Sequence, residues 1–422
     1  MARRVVITGM GVVAANANNQ LEFLDALRAA RSGLRFMPEL EDLGFACQVA
    51  AIPKGLEAAL ATIPENIRLA TNECMSYATI AALEAYKDAG LEPAPGDQPD
   101  DTTGAIIGTG IGGIDTLSLR VVPNVRDKRV KRIGSTVVEQ IMGSGSAARI
   151  AGLLGLGNQV FSNSSACNTG TEAMIMGTQR IQLGLADRML VGGTEGSDPH
   201  IWAGFDSMKV LSRKFNSDPE AASRPMSASA GGFIPAAGSG VLVLEDLETA
   251  QKRGVRIYAE IIGSAINCGG MRAGGTMTMP SSSGVQKCIS QALKAAAIDP
   301  RAVDYINGHL TATIADPMEL NNWSVALDRK PGDFPWINST KSLIGHSLGA
   351  AGAIEAVATI LQLHYGFIHA SRNCEDFHPD IKDFVRHVPQ STQNVPLQIA
   401  AKASFGFGDV NSCVIFRKWS AS

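Results

Sequence analysis

Short runs of β-branched and other apolar residues alternate with longer helical patterns along the whole chain. The strand-like runs are RRVVITG, GAIIGTG, NQVFSN, RMLVGG, SGVLVLE, YAEIIGSA, VDYINGH, WINST and SCVIFRK. Helical patterns separate them, notably CNTGTEAMIMGTQRIQLGLA, GVQKCISQALKAAAI and GAAGAIEAVATILQLHYG. Apolar runs of this kind are typical of sheets with both faces covered. The alternation therefore predicts an α/β fold with helices on both faces of the sheet.

The length and charge of the chain limit its organisation and its partners. With 422 residues, 45% of them hydrophobic, it can form two domains or one large double domain. In each half an early strand is followed by a helix, a small-residue turn carrying a reactive group, and a further helix. The formal charge of −3 gives no reason to expect nucleic acid or an anionic membrane as the main partner.

Cysteine usage and the N-terminal sequence indicate where the protein works. The seven cysteines are scattered and form no C-x-x-C pair, which favours free thiols in a reducing compartment over a disulfide framework or a zinc site. The apolar run after the two N-terminal arginines is interrupted at Gly9 and Gly11, so it predicts a first strand, Val5–Thr8, and no signal peptide. No apolar stretch reaches the ~20 residues of a membrane helix. We expect a cytoplasmic protein.

The stretch GTGIGG, from Gly108 to Gly113, satisfies the G-x-G-x-x-G pattern after a strand-like run. A dinucleotide site also needs an acidic residue about 20 positions further on, at the end of a strand. Asp127 has that spacing but lies within the basic polar run VRDKRVKR. The favoured interpretation is a flexible loop between a strand and a helix.

A second motif, GHSLG, contains Ser347 in the G-x-S-x-G pattern of α/β-hydrolases. Asp380 and His387 follow in the order that such a triad requires. Against this interpretation, the preceding stretch WINSTKSLI carries Lys341 where the strand of a nucleophile elbow should be apolar. A serine hydrolase acting through Ser347 is kept as the alternative function.

The third set of residues is Cys167 with two histidines. The stretch ACNTGTEAM predicts that Cys167 lies at a helix N-terminus, where the helix dipole favours a thiolate nucleophile. His309 in YINGHLTAT and His346 in STKSLIGHSLG each follow a glycine after a strand-like run. A lone histidine is more often structural, but two in matching settings favour a Cys-His-His site. The other six cysteines are interpreted as inert small residues.

These residues belong to longer motifs that run nearly from end to end of the chain. The motifs are RRVVITGMGVV, ACNTG, ADRMLVGGTEG, GVLVLEDLETAQKRGVRIYAEI, YINGHLTAT, NSTKSLIGHSLGAAGAIEA and ASFGFGDVN. Together they resemble a β-ketoacyl-acyl-carrier-protein synthase of the elongating, decarboxylating type. The resemblance implies a thiolase-like fold in which two similar α/β halves, 1–255 and 256–422, form α-β-α-β-α layers. It also implies a homodimer, with a heterodimer as the alternative, and an acyl carrier protein whose phosphopantetheine arm delivers the substrates without a permanently bound cofactor.

The resemblance assigns the reacting groups. Cys167 would accept the acyl chain, and the Nε2 atoms of His309 and His346 would hold the thioester carbonyl of malonyl-carrier protein. Decarboxylation would give an enolate that attacks the acyl group in a Claisen condensation, and neutral imidazoles suit such an anion. The N–H groups of Cys167 and Phe407 would bind the oxyanion.

Further positions match supporting residues of the family. Lys341 matches an electrostatic and structural lysine, Thr311 and Thr313 match hydroxyls that bind pantetheine, and Phe407 matches a gate beside the cysteine. Phe405 is assigned to substrate binding and Glu319 to the acidic residue near the lysine. The resemblance implies no metal.

The chain departs from the family pattern at loop positions. These are Leu310 and Ala312 after the first histidine, Gly231, Pro235 and Ala237 in SAGGFIPAAGSG, Asp409 in FGFGDVN, and Asp316 and Glu319, which come one position earlier than expected. The departures favour an active enzyme with an unusual acyl substrate, in fatty acid or specialised polyketide or polyene-type synthesis. A subunit beside a non-catalytic partner, or a non-elongating partner, is the alternative. The basic run 126–132, with Arg68, is predicted either to contact an acidic carrier protein or to be a solvated loop.

Overall fold

The computed structural model describes residues 2–420. The strands are β1 (Val5–Val13), β2 (Arg35–Phe36), β3 (Val49–Ala50), β4 (Thr103–Gly108), β5 (Val160–Phe161), β6 (Arg188–Glu195), β7 (Gly238–Asp246), β8 (Ala259–Cys268), β9 (Tyr305–Asn307), β10 (Trp336–Asn338), β11 (Phe367–Ile368), β12 (Gln393–Asn394), β13 (Ile399–Gly406) and β14 (Val410–Lys418).

The α-helices are α1 (Gln20–Arg28), α2 (Pro38–Asp42), α3 (Glu57–Leu60), α4 (Glu65–Arg68), α5 (Glu73–Asp88), α6 (Ile114–Thr116), α7 (Val122–Arg126), α8 (Val137–Ile141), α9 (Gly145–Leu154), α10 (Thr169–Gln182), α11 (Pro199–Ser207), α12 (Leu247–Arg253), α13 (Ser282–Ala296), α14 (Asp316–Leu327), α15 (Lys341–Ile344) and α16 (Ala351–Tyr365). Leu117–Val121 forms a π-helical segment. Turns of 3₁₀ helix occupy Val130–Arg132, Pro219–Ala221, Pro300–Ala302, Pro331–Asp333, Leu348–Ala350 and Pro379–His387.

One long sheet contains ten of these strands in the order β10-β9-β13-β14-β8-β1-β7-β6-β4-β5. From each end towards the middle the pairing has the same sequence of directions. Two parallel pairs, β10–β9 and β9–β13, are followed by antiparallel pairs β13–β14 and β14–β8. At the other end, β5–β4 and β4–β6 are parallel, and β6–β7 and β7–β1 are antiparallel. The two halves of the sheet meet where β1 pairs with β8.

Helices cover both halves of the sheet in layers. Helices α5 and α9 pack on β1, β7, β6 and β4, and α13 packs on β8 and β14 with α14 beside it. Between the two halves lie α10 and α16, which contact each other and strands of both halves. The predicted α/β fold and its thiolase-like layering are thus confirmed. The division of the chain at residue 255 stays a prediction.

Small residues allow the two central helices to cross closely. A Cβ atom added at Gly170 of α10 would lie 2.7 Å from the backbone nitrogen of Ala353, and one at Gly352 of α16 would overlap Thr171. The crossing brings the N-terminal ends of α10 and α16 together. Consequently the loops that carry Cys167 and His346, which precede these two helices, meet at one place.

The predicted strands form at their predicted places, with one difference at the N-terminus. Strand β1 does not end at Thr8 but continues through Gly9 and Gly11 to Val13. Both glycines face α5, where a Cβ atom would collide with the backbone of Ala85 or Ala81. The glycines therefore serve close helix packing and do not interrupt the strand. Within residues 2–420, none of the helices has the length and apolar character needed to cross a bilayer.

Candidate active site

Cys167 lies in the turn between β5 and α10. Helix α10 begins at Thr169, two residues later, so the predicted position at a helix start is correct. The residue before the cysteine, Ala166, has φ of +49°, a region that non-glycine residues seldom occupy. The turn is held by the Ser165 N–H, which donates to Thr169 Oγ1 at 2.8 Å, and by that hydroxyl, which donates to the Ala166 carbonyl at 2.8 Å. This backbone presents the thiol at the bottom of a cavity.

Both predicted histidines lie beside the cysteine. His346 Nε2 is 3.1 Å from Cys167 Sγ, and the ring centroids of His309 and His346 are 5.5 Å apart. One polar atom from each of the three side chains lies within 4.8 Å of the others. A thiol and two imidazoles at such distances can also be metal ligands, but metal binding would require a thiolate. The residues predicted from three separate loops therefore form one group.

Backbone contacts fix the position of His346. Its N–H donates to the Ile234 carbonyl at 2.7 Å, and its carbonyl accepts from the Ala236 N–H at 3.1 Å. The preceding Gly345 has φ of +68°, which a side chain would disfavour. The ring of Phe233 packs edge-on against the imidazole with centroids 5.1 Å apart. The loop with the altered family pattern thus contacts the site directly.

His309 is held from its backbone on both sides. The carboxylate of Glu319 accepts from the N–H groups of His309 and Leu310, each at 2.7 Å. Lys341 Nζ donates to the His309 carbonyl at 2.7 Å. Glu319 therefore acts on the loop that carries the histidine. The resemblance placed Glu319 near the lysine, whereas the acid that pairs with Lys341 is Glu355.

Burial sets the charges of the reacting groups. It lowers the pKa of both His309 and His346 well below the usual 6.5, and the positive charge of Lys341 lowers these pKa values further. Burial also raises the pKa of Cys167 to about 11, against the opposing influence of Lys341. The sequence predicts a thiolate favoured by the helix start, but desolvation outweighs that effect in the resting site. The resting pair is therefore a neutral thiol donating to a neutral imidazole.

Behind the histidines, the predicted Lys341 belongs to a buried ion-paired group whose other two members the sequence patterns did not indicate. Glu355 on α16 pairs with Lys341 through one oxygen and with Lys402 on β13 through the other, the latter at 2.9 Å. The three side chains are at most 2% exposed. A glutamate within the apolar pattern of GAAGAIEA and a lysine within the strand IAAKASFG were the available signals. We call these three residues the Lys-Glu-Lys group.

A cavity of about 220 Å³ lies above the three reacting side chains. Apart from the reacting groups, its walls carry the predicted substrate-binding residues and apolar side chains, including Thr311, Thr313, Phe405, Phe407, Phe205, Val210, Phe233, Met279, Met318 and Leu348. The hydroxyls of Thr311 and Thr313 are 3.0 Å apart. Mostly apolar walls around a few polar groups suit an acyl thioester.

The N–H groups predicted to bind an oxyanion are those of Cys167 and Phe407. Among residues 2–420, neither N–H donates a hydrogen bond to another residue. Phe407 follows β13 directly, and its ring is 6.2 Å from that of Phe205, centroid to centroid. Both N–H groups thus remain free to bind a ligand oxygen.

Asp409, where the family pattern has glycine, connects its own turn after β13 to the loop between β8 and α13, at the mouth of the cavity. Its carboxylate accepts from the N–H groups of Met271 and Ser281, at 3.0 and 2.9 Å. Its own φ is +58°, in the region that favours glycine. Asp316 plays a similar part inside the site, because it accepts from the N–H groups of Thr311 and Met226. The departures from the family pattern are thus built into loop contacts.

The hydrogen-bond donors of the glycine-rich stretch GTGIGG bind a side chain of the protein itself. The N–H groups of Gly110 and Ile111 donate to the carboxylate of Glu195, each at 3.0 Å, and the Thr109 hydroxyl donates to it at 3.1 Å. The Gly349 N–H donates to the same carboxylate. Because an internal carboxylate occupies these donors, the loop is structural, as favoured above.

Ser347 does not have the setting of a hydrolase nucleophile. The element before GHSLG is helix α15, not a strand, so the turn is no nucleophile elbow. Within residues 2–420, the Ser347 hydroxyl is buried and has no hydrogen-bond partner. The ring of His387, the proposed base, packs against Phe334. These contacts disfavour the hydrolase interpretation.

Comparison with known proteins agrees with this geometry. Residues 2–250 match the beta-ketoacyl synthase N-terminal domain, and residues 258–375 match the C-terminal domain. The chain is 37% identical to 3-oxoacyl-[acyl-carrier-protein] synthase 1 of Haemophilus influenzae, over 99% of this chain and 100% of the relative. It is 36% identical to the enzyme of the same name from Escherichia coli K12, over 99% of each.

Solved structures of ketosynthases have the same fold. A beta-ketoacyl synthase from Burkholderia phymatum superposes with a TM-score of 0.91, at 28% identity, over 99% of this chain and 100% of that one. A type II polyketide ketosynthase in complex with its acyl-carrier protein gives 0.88 at 29%, with the same coverage of both chains. The ishigamide ketosynthase/chain length factor gives 0.89 at 26%, over the whole of both chains.

The fold and the Cys-His-His site together define an acyltransferase of the ketosynthase class. The chain belongs to the beta-ketoacyl synthase family.

Proposed function

We propose that the protein joins a cysteine-bound acyl chain to a malonyl unit on an acyl carrier protein, by decarboxylative Claisen condensation. The observation that carries this proposal is the 3.1 Å contact between Cys167 Sγ and His346 Nε2 in a cavity that also contains His309. The similar synthases carry the acyl carrier protein in their names. The retained cysteine supports an elongating subunit over a non-elongating partner.

The first step loads the acyl chain. Cys167 Sγ attacks the thioester carbonyl of the acyl-carrier protein while its proton passes to Nε2 of neutral His346. The carbon–sulfur bond to the phosphopantetheine arm breaks, and the departing thiolate takes that proton. The N–H groups of Cys167 and Phe407 stabilise the tetrahedral oxyanion. Transfer to a neutral imidazole is needed because burial raises the pKa of the thiol to about 11.

The second step forms the carbon–carbon bond. Malonyl-carrier protein places its thioester carbonyl against Nε2 of His309 and His346, and Thr311 and Thr313 contact the pantetheine arm. After loading, His346 exchanges protons with water and returns to the tautomer that carries hydrogen on Nε2. When carbon dioxide leaves, the electron pair remains as an enolate, to which the Nε2–H groups of His309 and His346 donate. The enolate carbon bonds to the acyl carbonyl carbon, the bond to Cys167 breaks, and the thiolate regains a proton from water.

Two surface features support the proposed partners. Leu119, Val125, Val130 and Val138 form an exposed apolar stretch within 114–142, each more than half exposed. We propose that the ends of this stretch, at Leu119 and Val138 outside the basic run, contribute to contact between two copies of the chain, or between this chain and a related subunit like that of the ishigamide protein. We keep residues 1–255 and 256–422 as the two halves. The seven free cysteines support the cytoplasm as the site of action.

Mass spectrometry of the loaded enzyme tests the function. When the protein is offered a panel of acyl-carrier proteins, the acyl mass should appear on the Cys167 peptide of the parent and vanish in Cys167→Ala. Cys268→Ala, which removes an exposed thiol, is the matched control and should load like the parent. The acyl group that accumulates reports the preferred chain. A fluorophosphonate adduct on Ser347, with no load on Cys167, would instead establish the hydrolase.

Neutralising the basic run should weaken binding of the acyl carrier protein. Arg126, Lys128, Arg129 and Lys131 are exposed. Changing all four to glutamine should raise the Kd about tenfold at low salt, because rim charges contribute a few tenths of a kcal/mol each. The slope of Kd against salt should also decrease.

A control for this measurement changes four exposed lysines elsewhere, namely Lys252, Lys287, Lys294 and Lys330, to glutamine. This variant should bind like the parent apart from the small effect of net charge. Equal affinity of the parent and the basic-run variant at low salt would show that the run is a solvated loop face.

A further inference from the structure

The Lys-Glu-Lys group places two buried lysine side chains on a single carboxylate. Glu355 is the one carboxylate in ion-pair contact with either ammonium group among residues 2–420, and it is shared by Lys341 and Lys402. Lys402 also donates to the Ala403 carbonyl and, at 3.1 Å, to the Ser404 hydroxyl. It is fully buried. A buried charge without its own counter-ion destabilises the fold, so its presence calls for a role outside stability.

The group connects all the elements that carry the reacting side chains. Lys341 holds the His309 carbonyl, and Glu355 lies on the helix that follows His346. Lys402 lies on β13, the strand that leads to the Phe407 N–H, and reaches the cysteine helix through Ser404, whose hydroxyl is 2.9 Å from that of Thr171. The excess charge therefore lies directly behind the place where an enolate would form.

We propose that Lys402 is a positioning residue of the condensation site, which supplies through the Lys-Glu-Lys group a buried positive charge that stabilises anionic intermediates and keeps His309 and His346 neutral. The inference rests on the proposed function. The lysine touches neither substrate nor the reacting atoms, so its effect is electrostatic and acts through the two histidines and the β13 backbone.

The titratable surroundings of Lys402 are consistent with this role. The pKa of Lys402 is influenced by the charges of Glu355, Lys341 and Glu319. The charge of Lys402 in turn influences the pKa values of Cys413, His309 and His346. Burial lowers the pKa of Lys402, and its charge in turn lowers the pKa values of both histidines. Glu319, whose pKa burial raises to about 7, interacts electrostatically with Lys341 and Lys402 but is hydrogen-bonded to backbone N–H groups and forms an ion pair with neither lysine among residues 2–420. The excess charge thus remains uncompensated by a second ion pair.

Two variants separate charge from scaffolding. Lys402→Met replaces lysine by an unbranched apolar side chain one atom shorter and removes its charge, so that Lys341 and Glu355 then balance. The double variant Lys402→Met with Glu355→Gln restores one net positive charge, on Lys341. Malonyl decarboxylation by each variant is followed from pH 5 to pH 9, with separate kcat and KM for malonyl-carrier protein.

Lys402→Met should lower kcat on the order of tenfold with little change in KM. The low-pH side of the plot of kcat against pH, called the acid limb, should move to higher pH by about half a unit. The limb moves upward because each histidine becomes easier to protonate once the neighbouring charge is gone. In the double variant, kcat should recover and the limb should return. An unchanged acid limb in Lys402→Met, or no recovery in the double variant, overturns the inference.

A substitute variant and a parallel measurement of acyl loading distinguish failure of this inference from misfolding and from failure of the proposed function. If Lys402→Met does not fold, Lys402→Gln, which retains a donor towards Glu355, replaces it with the same expected shift. Acyl loading on Cys167 of the parent is measured in parallel. A parent that neither loads nor decarboxylates contradicts the proposed function, whereas an active parent with an unaltered Lys402→Met contradicts only this inference.

Discussion

Replacing either His309 or His346 with alanine should reduce malonyl decarboxylation on the order of 10³-fold, the effect of removing a donor aimed at a developing oxyanion. Both imidazoles are buried and neutral, and both line the cavity above Cys167. Neither can be replaced by the other, because a single donor leaves half of the enolate charge without a partner. Release of carbon dioxide from malonyl-carrier protein measures the loss.

The two variants should differ in acyl loading. Of the two histidines, His346 is the one that forms a hydrogen bond with Cys167 Sγ, so His346→Ala should also slow the transfer of an acyl chain to the cysteine. His309→Ala should load at nearly the parental rate. His200→Ala, which changes an exposed histidine on α11, is the matched control for both assays. Decarboxylation at the parental rate in both site variants would refute the roles assigned to the two histidines.

The grouping of Cys167, His309 and His346 could be predicted because the three residues lie in loops whose polar and small residues are not typical of a core. Cys167, His309 and His346 each stand among small residues after a strand-like run, and these loops meet where the two central helices cross. The order of the strands could not be predicted, because pairing between β1 and β8 leaves no signal in either run. Nor could the strained turn at Ala166, which depends on hydrogen bonds made after folding.

The buried charges of Glu355 and Lys402 could not be predicted from sequence patterns. A single glutamate in a helix of alanine and isoleucine reads as a polar interruption, and Lys402 lies in a strand that was not predicted at all. The contact of Glu319 could not be predicted for a related reason: similarity placed it near the lysine, and the folded chain shows that its carboxylate binds the N–H groups of the His309 loop. The pKa of Cys167 depends on desolvation by residues distant in sequence. Each of these properties belongs to the folded protein.

Replacing Glu355 with alanine should destabilise the protein by about 3 to 5 kcal/mol at pH 7, as expected when one partner of a buried ion pair is removed. Two ammonium groups would remain buried without a counter-ion, and no solvent reaches them because both are at most 2% exposed. Denaturant unfolding of the parent and the variant measures the difference. Glu248→Ala, which removes an exposed carboxylate at the start of α12, is the control and should have little effect.

The loss of unfolding free energy in Glu355→Ala should depend on pH, in a direction set by the pKa of Lys402. Burial lowers the pKa of Lys402 in the folded parent below the usual 10.5, and loss of Glu355 removes the charge that opposes this shift. Between the folded and unfolded pKa values the unfolded chain binds more protons, so the free energy of unfolding increases with pH. The variant should therefore regain part of its lost stability between pH 7 and pH 10. A deficit that is constant across this range would mean that lost packing, not an uncompensated buried charge, destabilises the variant.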